Sequence, residues 1–419
     1  MNIAIISPEY STYSNWGGIA TYNSSLIELL AKLGHNVFLF TYGEDNYVEV
    51  NRKRNGVKIT KIYVARKPRN KLLAFLHSSM PIRLIRNTFD KMIPYTFFAL
   101  EWNLFTLFAF RQIVKETKID LIHSTTPHAP GIFVNFFYGH IPVVSHSPAT
   151  QKLLNKYRPK TIDNRLKSFI NDSYILKIPN KIIACSPSEQ SILSREFSGI
   201  KQKMLFIPNF IPSIENFRNN EAVDRNNIVY FGRIEYRKGV DILLNSFLEL
   251  AVNHKNLKLF IIGNNTKSFR TKNQFEDFFG LLKSLDIPES IRNRIYIIPG
   301  ISDKKFLFLV LRSIKGIAVF PARYEPFGYV VIEAMAMGYP VIVSRKVGSS
   351  YIVKDGDNGI VSRPNSDHIK AAISKCIKLP KRELHKIGEQ AQLTIKNNFI
   401  LESVKEDYLA IYRSLGLVK

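Results

Sequence analysis

The chain has 419 residues, 45% of them hydrophobic, and 59 Lys and Arg against 34 Asp and Glu give a net charge of +25. That length exceeds one ordinary core and predicts two domains, while the hydrophobic content excludes a disordered or low-complexity chain. Its two cysteines, Cys185 and Cys376, match no metal or redox spacing, which excludes a disulfide scaffold and suits a reducing cytoplasm.

Met1-Asn2-Ile3-Ala4-Ile5-Ile6-Ser7 reads as a strand entering a fold directly, without the basic start and cleavage site of a signal peptide. Ser7-Pro8-Glu9-Tyr10 then leads through Trp16-Gly17-Gly18-Ile19 into a helix over Ile19–Leu33. There Ile19, Tyr22, Leu26, Leu29, Leu30 and Leu33 share one face, and Gly34 ends the run. A Gly-Gly pair at a helix start lets backbone amides approach an anion closely, although the loop lacks the G-x-G-x-x-G spacing of a dinucleotide site. Further strands are predicted at Val37–Thr41, Ile59–Val64, Leu121–Ser124, Val143–Ser145, Ile182–Ala184 and Leu205–Ile207. Their alternation with helical segments predicts a parallel sheet covered by helices.

Residues 50–118 hold 15 Lys and Arg against three acids, Asp90, Glu101 and Glu116, with aliphatic and aromatic residues between them. Basic and apolar residues in one segment predict contact with an anionic membrane surface. The most hydrophobic run, Tyr95–Phe110, falls short of the roughly 20 residues that a span requires. The patterning is aliphatic and carries no nucleic-acid motif, so nucleic acid is not the expected partner.

The Asn-rich stretch Pro208–Asn227 reads as a linker between a first domain over 1–207 and a second over 228–395. Strands of the second domain are predicted at Ile228–Phe231, Leu257–Ile262, Tyr296–Ile298, Ile317–Phe320, Val341–Val343 and Ile360–Val361. The first opens a strand-and-glycine turn, Tyr230-Phe231-Gly232-Arg233-Ile234-Glu235-Tyr236-Arg237-Lys238-Gly239, with Arg233 and Lys238 five residues apart. The fourth runs into Glu325-Pro326-Phe327-Gly328 and a helix that is apolar nearly all round except for Glu333 and stops at Gly338. A carboxylate on a buried helix is costly unless something satisfies it; the candidates are a buried Arg and a ligand rich in hydroxyls. Eight residues separate Glu325 from Glu333, about 12 Å along a helix, which suits two ends of one extended molecule better than an acid/base pair. Asp355-Gly356-Asp357 reads as a tight turn and no cluster has zinc spacing, so no metal is expected.

Glu325-Pro326-Phe327-Gly328 with Glu333-Ala334-Met335-Ala336-Met337-Gly338 resembles the E-x7-E element of the retaining glycosyltransferases of family four (glycosyl transferases group 1). The Arg233…Lys238-Gly239 element and the N-terminal glycine loop are similar to two further elements of that family. The resemblance implies an α/β chain of GT-B fold, two Rossmann-like parallel-sheet domains facing across a cleft, with residues 396–419 carrying a last helix, about Ser403–Leu415, that crosses back to the first domain. It implies a hexosyltransferase that uses a UDP- or GDP-sugar without a metal or other cofactor. The acceptor would be a glycolipid or glycan of the cell surface, and the enzyme would lie on the cytoplasmic face of the membrane. By resemblance, Arg233 and Lys238 hold the diphosphate. Glu325 with the Phe327 and Gly328 amides holds the sugar, and Glu333 holds the ribose. Gly17 and Gly18 reach the diphosphate from the first domain, and His146, closing Pro142-Val143-Val144-Ser145-His146, faces the reaction centre, with His123 second. The chain departs from the family at Gly263-Asn264-Asn265, at Val347-Gly348 with Tyr351, and at Pro208-Asn209-Phe210. A noncatalytic sugar-binding or nucleic-acid-binding protein on the same scaffold is the alternative.

Overall fold

The strand Asn2–Ile6 (β1) is buried on both faces, as a strand reading Ile-Ala-Ile-Ile must be in the middle of a parallel sheet. It pairs in parallel with Asn36–Tyr42 (β2) on one side and Leu121–Thr125 (β5) on the other. Tyr47–Arg52 (β3) and Lys58–Val64 (β4) form an antiparallel pair beyond β2. Val143–Ser147 (β6), Lys181–Ala184 (β7) and Met204–Phe206 (β8) continue beyond β5, giving the order β3-β4-β2-β1-β5-β6-β7-β8. The computed structural model describes residues 1–10, 17–44, 46–52, 56–64, 88–89, 91–125, 129–147, 154, 156, 161–213, 223–266, 269–270 and 275–418. Trp16 and the cations Lys67, Arg69, Lys71, Arg83 and Arg86 of the basic segment lie outside them.

The chain divides into two units, Met1–Pro208 with Val404–Lys419, and Asn209–Ser403. In the second unit Asn227–Phe231 (β9), Lys258–Ile262 (β10), Ile295–Ile298 (β13), Ile317–Phe320 (β14), Val341–Ser344 (β15) and Ile360–Ser362 (β16) form an all-parallel sheet. Its order is β13-β10-β9-β14-β15-β16. A two-stranded hairpin of Phe269–Arg270 (β11) and Phe275–Glu276 (β12) stands apart from it. The chain builds outward from β9 through β10 to β13, then returns to the other side of β9 with β14. The order reverses there, and ligands of open α/β sheets bind at the carboxyl ends of the strands on either side of such a reversal.

Three expectations are corrected. β3 was not expected: within Tyr47–Arg52 the apolar Val48 and Val50 are exposed while Glu49 is half-buried against Lys61 and Tyr63, so no buried apolar run announces it. The first residues of the expected linker, Asn209, Phe210 and Ile211, are buried in the second unit, where Ile211 bridges Ile400. The return to the first unit begins at Val404 rather than 396, because the helix Lys381–Asn398 packs through Leu384, Ile387, Ala391 and Ile395 in the second unit. A separate helix, Leu401–Ser414, then joins the first. Among the described residues no helix is long and apolar enough to cross a membrane.

The returning helix is held by polar contacts inside the first unit. Tyr408 Oη lies 2.9 Å from Tyr22 Oη, and Tyr412 Oη lies 2.9 Å from His123 Nε2. His123 is buried, and burial, with help from the neighbouring His146 and His35, depresses its pKa to about 3. His35 falls to about 4, again by burial, aided by the N-terminal ammonium and opposed by Asp120. An unfolded histidine titrates near pH 6.5, so between that value and the folded pKa the unfolded chain binds more protons. Each depressed histidine therefore removes stability as pH falls below 6.5, by about 1.4 kcal/mol per pH unit. Melting temperature is expected to drop between pH 6.5 and 5, and His123→Asn to flatten that slope. A slope unchanged by the substitution would place the acid sensitivity elsewhere.

Candidate active site

Two loops meet at the reversal between β9 and β14. The first leaves β9 through Gly232 and closes in a 3-10 turn, Tyr236–Lys238, ended by Gly239 at φ +71°. A Cβ on Gly239 would sit 2.2 Å from the Pro321 carbonyl oxygen, so only glycine lets the two loops approach this closely. The second loop leaves β14 at Pro321 and reaches Gly328, whose φ of +92° turns the chain into the helix Tyr329–Ala336.

The loops are stitched by charge. The Arg323 amide donates to the Arg237 carbonyl (2.9 Å), and its guanidinium donates to the Tyr236 carbonyl (2.7 Å). The same guanidinium forks onto Asp241 at 2.7 and 2.6 Å and lies over the Tyr236 ring. In return Arg237 donates to the Tyr324 carbonyl (2.9 Å). The centre of the arrangement is Glu325. Its Oε2 accepts from Arg237 Nη1 at 2.6 Å and from Lys238 Nζ, while Arg237 also pairs with Glu235.

Burial alone would raise the Glu325 pKa, but Lys238 and Arg237 outweigh it and hold the carboxyl down at about 2. Burial, with Arg237 and Arg233 nearby, lowers Lys238 despite Glu325. Burial also opposes the charge on Arg237, but Glu325 and Glu235 override it and push its pKa up. Glu325 is thus ionised at any working pH, and a carboxylate with so little basicity is poorly matched to general-base work near neutrality. It can accept hydrogen bonds from hydroxyls and hold two cations in place. Fixed cations of this kind can stabilise an anionic group that develops charge beside them.

Glu333 lies on the helix Tyr329–Ala336, 5% exposed. Its partner is Lys304, whose Nζ donates to Oε1 at 2.7 Å. Of the two satisfiers that the sequence allows, a buried Arg or a ligand, the first is thus replaced by a lysine. Lys304 opens the helix Lys304–Ile314, capped by Asp303, and no local pattern in the chain ties it to Glu333. Phe327 is buried beside Tyr329, and its carbonyl accepts from the Ser349 amide at 2.8 Å. The Glu325 carbonyl accepts from the Gly348 amide at 2.7 Å, so Val347-Gly348 takes part in shaping this loop.

Arg233 is exposed and forms no ion pair among the described residues; its carbonyl accepts from Tyr230 Oη at 2.7 Å. The structure therefore joins Glu325 and Lys238 with Arg237 and Glu235, and separately pairs Glu333 with Lys304; sequence reasoning had not singled out Arg237, Glu235 or Lys304. In the first unit, Gly17 caps the helix Gly18–Lys32 in an extended conformation and Gly18 opens it. His146 sits near the end of β6, 1% exposed, with the Tyr22 ring stacked 3.7 Å away. Among the described residues no group of three His, Cys, Asp or Glu is placed to hold a metal.

The comparisons agree with this architecture. The family described as Glycosyltransferase Family 4 matches residues 16–213, and that described as Glycosyl transferases group 1 matches 213–394. The chain is 23% identical over 428 residues to an MMP alpha-(1->4)-mannosyltransferase of Mycolicibacterium hassiacum, covering 98% of each. It is 30% identical over 194 residues to a lipopolysaccharide 1,2-N-acetylglucosaminetransferase of Salmonella typhimurium, a match that spans 45% of this chain and 48% of that protein. The solved structure of Anabaena Alr3699/HepE with UDP and glucose superposes with a TM-score of 0.67 at 15% identity, over 99% of this chain and 100% of that one. The chain is a glycosyltransferase of GT-B fold and belongs to the group 1, family 4 glycosyltransferases.

Proposed function

We propose that the enzyme moves a sugar, with retention at the anomeric carbon, from a UDP- or GDP-sugar to a lipid-linked or polysaccharide acceptor in cell-surface glycan synthesis. The observation that carries this reading is the ionised Glu325 held between Arg237 and Lys238 at the sheet's reversal, with the buried Glu333 on the adjoining helix. In this reading Glu325 and the Phe327 and Gly328 amides hold the sugar, and Glu333 takes the ribose hydroxyls. Lys238, Arg237 and the exposed Arg233 take the diphosphate. The bond from the anomeric carbon to the diphosphate breaks, and the departing oxygen takes the acceptor hydroxyl's proton. The acceptor oxygen then bonds on the same face. The chain's part is positioning and stabilisation of the charge that develops on the leaving group. UDP in the HepE complex and the Salmonella relative's description as a lipopolysaccharide 1,2-N-acetylglucosaminetransferase support the choice of donor and acceptor classes.

The test is release of nucleoside diphosphate from UDP- and GDP-sugars with a membrane extract as acceptor. Release is expected with one donor and expected to survive EDTA, because fixed cations supply the charge that a metal would. Complete loss in EDTA, restored by magnesium or manganese, would count against this mechanism.

Attachment to the inner face of the membrane belongs to the same proposal. Phe136, Phe137 and Phe169 are exposed on the helices Ile132–Phe137 and Ile162–Lys177, with Arg165 and Lys177 also exposed on the latter. Flotation is expected with anionic vesicles at low salt and to weaken at high salt, since each cation near such a surface adds about 1 kcal/mol. Equal recovery with neutral vesicles would remove the electrostatic part.

A further inference from the structure

We propose that a groove at the β15–β16 edge of the second unit is an additional binding site, for a small soluble phosphomonoester. The groove is open to the surface and offers about 560 Å³, within the range of small-molecule sites. Arg345 directly follows β15 and Arg363 directly follows β16. The parallel register pairs Ser344 with Ser362, and the Arg345 amide donates to the Ser362 carbonyl at 2.9 Å, so the two arginines occupy neighbouring positions at the carboxyl edge of the sheet. Both are exposed, and neither guanidinium has an ion pair or hydrogen bond among the described residues. Arg225, Arg237, Arg294 and Arg323 of the same unit, by contrast, are each satisfied by carbonyls or carboxylates.

Lys375 adds a third permanent cation to the wall. The carboxylate there, Asp355, is already engaged: Oδ1 accepts from the Val361 amide at 3.2 Å, and Oδ2 lies 3.8 Å from Lys375 Nζ. Two arginines lining one groove from neighbouring strand ends offer guanidinium forks that suit the oxygens of a phosphate. The apolar lining from Val361 and Ala372 favours a phosphate that carries a small carbon body. None of Arg233, Arg237, Lys238, Lys304, Glu325 and Glu333 lines the groove, so it can fill while the transferase site is occupied.

The inference does not rest on the proposed reaction. The test is titration calorimetry of the whole chain with glycerol 3-phosphate, with and without saturating UDP. One site is expected in both conditions. Arg345→Gln with Arg363→Gln should weaken it at least tenfold while melting temperature and UDP affinity hold. Should that pair of changes prevent folding, Arg345→Lys and Arg363→Lys made singly keep the charge, lose the fork and should each weaken binding severalfold. Absence of glycerol 3-phosphate binding, equal affinity in the variants, or competition by UDP would overturn the proposal. So would arginine-dependent capture by phosphatidylglycerol vesicles without binding of the soluble probe, which would make the ligand a lipid headgroup. Failure of UDP itself to bind would count against the transferase reading and leave the UDP-free titration to decide the groove.

Discussion

Glu325→Gln is expected to lower kcat by about a thousandfold while UDP affinity holds or tightens. Removing one preorganised group at a site of developing charge costs on the order of 10²–10³ in rate. The two effects separate because of what Glu325 does in the empty protein. Its Oε2 occupies both Arg237 and Lys238. A neutral amide in its place frees the two cations for the diphosphate but gives the sugar hydroxyls a weaker acceptor. Breaking a largely buried pair also destabilises the fold, by about 3 kcal/mol, although Glu235 still holds Arg237. The pH dependence follows from the carboxyl pKa of about 2, below the unfolded value. Its contribution to stability is complete above the unfolded pKa, near 4.3, and is lost as pH falls through the folded one. Single-turnover kinetics, calorimetry with UDP and a melting curve read the three effects together. A variant with full turnover would remove Glu325 from the donor site.

Much of this arrangement is legible in the sequence. Glu325-Pro326-Phe327-Gly328 announces a turn, and the apolar run over Val330–Met337 announces a buried helix on which Glu333 is the anomalous charge. The strands of the second sheet are short continuous apolar runs, and the structure finds each of them within a residue or two. What the sequence hides is pairing over distance. Arg233 and Lys238 stand out as cations flanking a glycine turn, yet the 3-10 geometry of Tyr236–Lys238 delivers Arg237 with Lys238 onto a carboxylate 87 residues away from the lysine. Lys304 is an ordinary first-turn lysine on an amphipathic helix until β14 brings it to Glu333. The returning helix, expected at about Ser403–Leu415, is found at Leu401–Ser414, and only the start of the segment grouped with it, 396, lies too early. The helices Lys381–Asn398 and Leu401–Ser414 have comparable amphipathic patterns, and only packing assigns them to different units.

Glu333 and Lys304 should part company when each is removed. Glu333→Ala is expected to weaken nucleoside diphosphate binding by about 10- to 100-fold, because a hydrogen bond to a charged acceptor in a buried site contributes roughly 1.5–3 kcal/mol. The substitution leaves Lys304 able to reach water, since its side chain is 26% exposed, so the empty protein loses little stability. Lys304→Ala does the opposite. It strands a carboxylate that is 7% exposed, and an uncompensated buried charge destabilises the empty protein. A ribose offers two hydroxyl donors to that carboxylate. Nucleotide affinity should therefore hold or rise in this variant, and UDP should recover most of the lost melting temperature, as linkage requires of a ligand that satisfies a folded-state group. Calorimetry with UDP and thermal melts with and without it distinguish the cases. If both substitutions weaken UDP equally and UDP restores neither, Glu333 and Lys304 form a pair that only supports the fold, and the ribose is held elsewhere.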